Sequence, residues 1–534
     1  MIPMISPLHF AGEAVRAERG RALAISASLV SPRRPWGPAR GRYICAASPI
    51  VAAVAFLLSG CVVGPEFRKP ASPAVGDYTA QTLSSTAASA VAGGAPQRFD
   101  KGAEISAEWW TLFQSKPLDD LIVQALANNS DLKAAQAALS AARENVLAQR
   151  GAYFPNVSAG LSASRQQQSV VLAPVPNANV FTYSLFTPEV SVSYVPDVFG
   201  LNHRTVESLE AQQQAVRYQM AATYTTLTSN VVATAIQEAS IATQIVALRE
   251  LNDADTKLVE LLQEQLAKGY ASGLDLALQK AQLAQAKAML PPLLKQADQL
   301  HDLMAVLTGQ YPSQAPPEHF DLASLHLPQD LPLSLPSKLV EQRPDVLQAE
   351  ANLHAASAEI GIAVANRLPN LELTANAGST ALALGQLFAP GTGFWSVGAD
   401  LTAPIFDGGT LLHRERAARA SYQQAVAQYR STVLAAFQNV ADTLAALQRD
   451  ADGLNAAADA DESARTTFDL TQRQLKDGYA SELTLLTTEQ TVQQARINLV
   501  QAEAARYADT AALFQSLGGG WWQRPDLVEA GNDK

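Results

Sequence analysis

Along this chain the spacing of apolar residues changes in a fixed order, and the order then repeats. From Leu118 onward, Leu121, Ile122, Ala125, Leu126 and Leu132 fall three and four apart, which predicts helix. That spacing runs to about Tyr153 and stops at Pro155, which cannot extend a helix. The period then becomes two. Val157, Ala159, Leu161 and Ala163 alternate with Ser158, Gly160, Ser162 and Ser164. After a connection rich in Pro and Asn, Val190, Val192 and Tyr194 alternate with Glu189, Ser191 and Ser193. Both runs predict strands with one apolar face. Next, Leu201 to Lys268 holds neither Gly nor Pro, and Leu248, Leu251, Leu258, Leu262 and Leu266 form a coiled-coil-like stripe. At ~1.5 Å per residue such a helix extends ~100 Å. No compact core covers a helix of that length, so it needs lateral neighbours. It ends at Gly269 and a returning helix.

The second half repeats the series. Leu371, Leu373, Ala375 and Ala377 alternate with polar or small neighbours, as do Trp395, Val397, Ala399 and Leu401. The segment Thr410 to Asp477 is again free of Pro and is interrupted only by Gly453. Gly269-Tyr270-Ala271-Ser272 returns as Gly478-Tyr479-Ala480-Ser481, and Pro155-Asn156 returns as Pro369-Asn370. Asp131-Leu132 returns as Asp345-Val346, each after roughly 210 residues. This is a duplicated, domain-sized unit and not a short-period solenoid. The alternating segments fit a soluble half-buried sheet. They also fit a barrel wall, apolar toward lipid and polar toward a watery lumen, since ~9 residues cross a bilayer when tilted. Four strands cannot close a barrel, and open edges do not survive in lipid. Three copies would supply twelve strands. The expected fold is therefore mainly α with a membrane β-barrel: a two-fold repeat, four strands per chain, and a long helical section.

Composition narrows the partners. The formal net charge is -11 and the sequence pI is near 5.2, which argues against nucleic acid. Basic residues gather early, with Arg33, Arg34, Arg40 and Arg42 preceding a mostly apolar run from Ile44 to Leu58. Leu58-Ser59-Gly60-Cys61 follows, completing a signal-peptide layout. The apolar run is shorter than the ~20 residues a membrane helix needs. A Cys directly after small residues resembles the bacterial lipobox, which makes Cys61 the expected lipidation site. Cys45 would then be removed, leaving no disulfide in the mature chain. Met1 to Gly41 shows no clear pattern, and translation is expected to start further downstream. In lipoproteins, Val62 in place of Asp after the Cys favours delivery to the outer membrane. Residues 62–105, rich in Pro, Gly, Ala, Ser and Thr, are expected to be extended with little regular structure.

The sequence resembles a known family at several separate places. Behind the lipobox, Val63-Gly64-Pro65-Glu66-Phe67-Arg68-Lys69-Pro70 is similar to the mature start of lipoprotein outer membrane efflux channels. Trp109-Trp110, Phe113, Leu118 to Ala125 and Asn129-Ser130-Asp131-Leu132 look like the same family. So do Arg343-Pro344-Asp345 with Ala349-Glu350, Ile360-Gly361 and Leu368-Pro369. The likeness covers about residues 57–520 and is to the TolC-type outer membrane factors, lipoprotein branch, of resistance-nodulation-division (RND) pumps. It implies a homotrimer with a twelve-stranded barrel in the outer membrane and an α-helical tunnel in the periplasm. It also implies a periplasmic adaptor and an inner-membrane RND pump as partners, with passive exit of small molecules.

The resemblance also implies sites. Gly269, Tyr270, Ala271 and Ser272, with Gly478, Tyr479, Ala480 and Ser481, would be periplasmic tips that dock the adaptor. A tunnel constriction would draw on Asp275, Leu483, Thr487 and Gln490. Here the chain departs from the family: the usual acid is Thr487 and the usual Arg is Gln490. Glu482 and Glu489 offer other sources of acidity, and a looser hydrogen-bonded or apolar constriction is expected.

The expected organisation is an extension and signal peptide over 1–60, an extended equatorial segment over 61–117, repeats at 118–310 and 338–518, a linker at 311–337 and a tail at 519–534. Catalysis, a cofactor and a metal are not expected. The seven His are scattered without metal-ligand spacing, and no nucleophile elbow, phosphate loop or dinucleotide fingerprint occurs. The alternative channel reading is an exit duct for type I protein secretion. A lipid-tethered coiled-coil binding protein would account for the helices but not for the four alternating segments.

Overall fold

The computed structural model describes residues 62–80, 83–167, 182–315, 320–525 and 527. The chain divides into two units, Met1–Phe56 and Leu57–Lys534, and the described residues all belong to the second. Cys61 and the expected signal segment lie outside the described residues.

In the first repeat, α1 (Lys116–Asn128) and α2 (Ser130–Arg150) lead to β2 (Asn156–Gln167) and β3 (Thr182–Tyr194). Then come α3 (Leu201–Ala267) and α4 (Gly273–Leu307). In the second repeat, α5 (Pro336–Gln342) and α6 (Pro344–Ala365) lead to β5 (Asn370–Ser379) and β6 (Gly393–Thr402). Helices α7 (Thr410–Lys476) and α8 (Glu482–Ser516) complete it. The duplication is metrical: α3 and α7 each hold 67 residues, and α4 and α8 each hold 35.

Two expectations need correction. The helix expected from Leu118 to about Tyr153 is two helices, because Asn129 leaves helical geometry and caps the second. Its side-chain oxygen accepts from the Asp131 and Leu132 amides at 2.9 and 3.1 Å, and its Nδ2 donates to the Leu307 carbonyl at 3.2 Å. Gly453 does not interrupt α7, since one exposed Gly costs only ~1 kcal/mol against many helix bonds. Among its described residues the segment 62–105 holds little regular structure. Its strand β1 (Arg98–Lys101) pairs in parallel with β4 (Asp330–Leu333) of the connection between the repeats. Pairing at long range is invisible to local periodicity.

The core lies where these pieces meet, around the middle of the long helices. Trp109 stacks on Phe514 of α8 with ring centroids 5.0 Å apart, and Trp110, Phe113, Leu118 and Tyr224 are buried beside them. Polar clasps close the same region. The Arg343 guanidinium grips Asp345 through two bonds of 2.9 and 2.7 Å and donates to the Ser516 carbonyl at 2.7 Å. It thereby ties the start of α6 to the last turn of α8. Gly520, at φ 70°, turns the chain after α8 so tightly that a Cβ would sit 2.3 Å from the Ser106 carbonyl oxygen. Arg506, fully buried on α8, donates to the Gly93 and Ala95 carbonyls, Thr86 Oγ1 and Gln97 Oε1 at 2.8–3.2 Å. It thus holds an N-terminal loop that has little apolar side chain of its own to bury.

Carboxyls also press together along α7 and α8. Burial first, and then the neighbouring Asp461, pushes the Glu503 carboxyl up to about 7. Burial and the hydrogen-bonded Asp450 do the same to Asp509, also to about 7. Each ordinary value is lower, 4.5 and 3.8, so the folded chain holds protons that the unfolded chain releases. Stability therefore falls as pH rises through about 5 to 7. The melting temperature of the purified protein is expected to drop over that window and to flatten in Glu503→Gln. Arg506→Met is expected to cost about 3 kcal/mol, because the buried carbonyls it served lose their donor. Faster proteolysis around residues 86–97 is the readout.

Candidate functional site

Strands β2, β3, β5 and β6 form one antiparallel sheet in that order. Its register sorts side chains by polarity across all four strands. Val157 lies opposite Val192, which lies opposite Ala375 and then Val397; Ala159, Val190, Ala377 and Trp395 form the next row. On the other face Ser158, Ser191, Asn376 and Ser396 line up, with the Ser158 and Ser191 hydroxyls 2.7 Å apart. The sheet thus has an apolar face and a polar face. Within one chain neither is covered: Trp395 is 78%, Val397 75% and Leu161 67% exposed on the apolar side. Among the described residues, no strand lies beside the outer edges of β2 and β6. A soluble half-buried sheet would place its apolar face on a core. This one does not.

Beyond the sheet, α3/α4 and α7/α8 are two long hairpins with the same tip. In the first, the Gly269 amide donates to Leu266 at 3.0 Å and Tyr270 to Gln265 at 2.8 Å. In the second, Gly478 donates to Leu475 at 3.1 Å and Tyr479 to Gln474 at 2.8 Å. Both glycines sit at φ 80°, the left-handed exit that a side chain disfavours. Ser272 and Ser481 cap the returning helices, their hydroxyls accepting from the Asp275 and Thr484 amides at 3.2 Å each. The recurrence of Gly and Ser is therefore explained by the turn itself. That of Tyr is not: Tyr270 is 82% and Tyr479 86% exposed, with no packing role in one chain.

The expected constriction residues fall into two groups. Asp275 sits at the first tip, where its carboxylate accepts from the Ser272 amide and hydroxyl at 3.1 and 2.7 Å. Those bonds hold its carboxyl below the usual range. Leu483, Thr487 and Gln490 share one exposed face of α8, four and three residues apart. The Thr487 hydroxyl donates to the Leu483 carbonyl at 2.6 Å, and the Gln490 amide donates to Gln282 of α4. Gln282 was missed from sequence, although Gln279, Gln282 and Gln285 recur every three residues. Together with Met289, Gln490, Gln493 and Ile497 it lines a cleft of about 240 Å3 between the two hairpins.

The segment that follows Cys61 is fastened where β3 gives way to α3. The Val63 amide donates to Phe199 at 3.2 Å, and the buried Arg204 donates to the Val63 carbonyl at 3.0 Å. Arg204 also pairs with Glu66 and Glu207 at 2.6 Å each. Phe67 stacks on His354 at 4.3 Å. No sequence signal singled out Arg204.

Comparison with known proteins agrees with this geometry. The model of the outer membrane efflux protein family matches residues 121–309 and 335–519, one block in each repeat. The chain is 29% identical over 484 residues to the toluene efflux pump outer membrane protein TtgC of Pseudomonas putida, spanning 89% of this chain and 96% of that one. It is 31% identical over 421 residues to the pyoverdine export outer membrane protein OpmQ of the same species, spanning 77% and 88%. The solved outer-membrane channel OprN superposes with TM-score 0.76 at 25% identity, over 86% of this chain and all of that one. The chain belongs to the outer membrane efflux protein family, and its place is the outer membrane.

If the tip serines are caps, Ser272→Ala and Ser481→Ala each remove about 1 kcal/mol of local stability. Amide exchange is expected to quicken in the first turns of α4 and α8 and to stay unchanged at the core.

Proposed function

We propose that this family member works as a homotrimeric exit duct of an RND-type efflux pump, giving small molecules passive passage across the outer membrane. The observation that carries the proposal is the two-faced, open-edged sheet. An apolar face open to solvent, a polar face and two bare edges are unfavourable in a lone chain. In lipid, unsatisfied edge groups cost several kcal/mol each. Three copies joined edge to edge make a closed wall of twelve strands, lipid outside and water inside. The 67-residue α3 and α7 then continue the wall into the periplasm as a helical tunnel.

The remaining roles follow the same axis. Gly269, Tyr270, Ala271, Ser272, Gly478, Tyr479, Ala480 and Ser481 form the periplasmic rim. The two exposed tyrosines offer large amphipathic contacts to a helical adaptor protein, which links the duct to the inner-membrane pump. Leu483, Thr487 and Gln490 face the narrow end of the lumen, with Asp275 nearer the tip. The constriction is uncharged where Thr487 and Gln490 stand, and amide bonds such as Gln490 to Gln282 hold it. Cys61, acylated, anchors the chain in the outer membrane, and the Arg204 strap supports that reading by fixing Val63 at the sheet–helix junction. The repeats span 118–310 and 338–518, joined by the equatorial segments 61–117 and 311–337.

Planar-bilayer recording tests this. Purified protein is expected to give discrete conductance steps, and its absence from every preparation would count against the duct. In Thr487→Asp, a ring of added carboxylates is expected to lower basal leak in the presence of divalent cations and to raise cation selectivity. An unchanged leak would remove Thr487 from the constriction.

A further inference from the structure

The seam between β3 and β5 inside one chain is a template for the edges that the chain leaves open. Asn156 and Asn370, each behind a Pro, are the first residues of β2 and β5. They pair with Ser193 of β3 and Thr402 of β6. Asn156 therefore holds the place of Asn370, and Ser193 that of Thr402. The helices keep the same step: Gly200 and Gly409, at φ 77° and 90°, precede the first residues of α3 and α7. Between the two strand hairpins, Val192 pairs with Ala375, Val190 with Ala377 and Ser191 with Asn376. That seam joins the last strand of one repeat to the first strand of the next. The edges of β6 and β2, which no strand covers among the described residues, are again a last strand and a first strand.

The ends of the strands repeat the arrangement. At the inner seam, Val195, Val198 and Phe199 after β3 share a cavity of about 390 Å3 with Leu368 and Pro369 before β5. The matching ends at the outer edges are bare: Ile405 is 99% and Phe406 92% exposed just after β6, and Phe154 is 72% exposed just before β2. Leu401, in the place of Val192, and Leu161, in the place of Ala375, are 71% and 67% exposed. A strand that slipped by one residue would turn its apolar set to the other face. A slip of two would keep the faces but break the match with the inner seam. A strand edge that meets β6 as β5 meets β3 is present on a second copy of this chain.

We propose that β6 of one copy pairs antiparallel with β2 of the next in the register of the inner seam, which sets Leu401 opposite Leu161 and Ala399 opposite Ala163 of the next copy. The contact is head to tail, each copy offering one edge and receiving the other, and such contacts close into a ring. Ile405 and Phe406 then meet Phe154 and Val157 of the next copy, and these bare apolar side chains cover one another where the strands give way to the helices. The proposal rests on the duct reading and adds which residues of two copies meet.

Paired cysteines test it. Within one chain Leu161 and Leu401 lie on opposite edges of the sheet, three strand spacings of ~4.8 Å apart, beyond the reach of a disulfide. A bridge between them therefore joins two copies. The full-length protein carrying Leu161→Cys with Leu401→Cys is treated in membranes with a lipid-soluble oxidant and sized under denaturing conditions. Species of two and three linked chains are expected, returning to one chain on reduction, and Ala163→Cys with Ala399→Cys should behave alike. The shifted pairs, Leu161→Cys with Ala399→Cys and Ala163→Cys with Leu401→Cys, are expected to stay single, because diagonal positions lie ~7–8 Å apart. Each single variant controls for bridges to Cys61. All four positions are exposed in one chain, so the reduced variants should keep the wild-type native mass. Bridging in a shifted pair but not in the matched ones would overturn the register and leave the duct standing. So would three-chain particles in which no pair bridges. Single-chain particles without bridging would remove the duct and the proposal together.

Discussion

Every backbone amide and carbonyl of a strand must find a partner, and in lipid only another strand can supply it. The four-stranded sheet of this chain meets that demand along its three internal seams and, among the described residues, leaves it open at β2 and β6. The rest of the architecture is consistent with closing those edges. Rows such as Val157–Val192–Ala375–Val397 keep one polarity across the whole sheet, so copies can extend the rows without a change of face. A sheet that stopped at four strands would gain nothing from this order, since its apolar face covers no core.

The helices raise the same question in another form. Two helices of 67 residues bury long stripes against α4, α6 and α8, but α7 has no buried position before Tyr429. What holds one chain together is the belt halfway along. There Trp109 packs on Phe514, Arg343 bridges the start of α6 to the end of α8, Asn129 caps α2 and reaches Leu307, and Arg506 gathers the N-terminal loop. The belt joins the two repeats and the segments outside them, including the β1–β4 pair. Toward the tips the buried apolar positions thin to a few, among them Val259, Leu262, Leu485 and Leu486, beside the capping bonds of Ser272 and Ser481.

Much of this was legible in the sequence because repetition and period are local signals. The alternation at Val157–Ala163 and Leu371–Ala377 marks β2 and β5, and the Gly-Tyr-Ala-Ser copies mark tips that share one geometry. What escaped reading depends on contacts far apart in the chain. The β1–β4 pairing reaches across the whole first repeat, and no pattern near Arg98 announces it. Asn129 lay inside a helical period and was read through, although Asn before Ser-Asp is a capping signal. Gly453 shows the reverse error: a weak helix residue was given the weight of a break. At the site, Asp275 was grouped with the constriction by its charge, while the fold employs its carboxylate first as a cap on Ser272. Gln282 became visible as the partner of Gln490 only once α4 and α8 were brought side by side.

The claim on which the account turns is that three chains close one wall. The most direct measurement is the native mass of the protein extracted gently into detergent. Three chains per particle, resistant to dissociation until the sheet itself melts, is the predicted result. A stable particle of one chain with its strands intact would contradict it, because a single chain would then tolerate the open edges that make the trimer necessary.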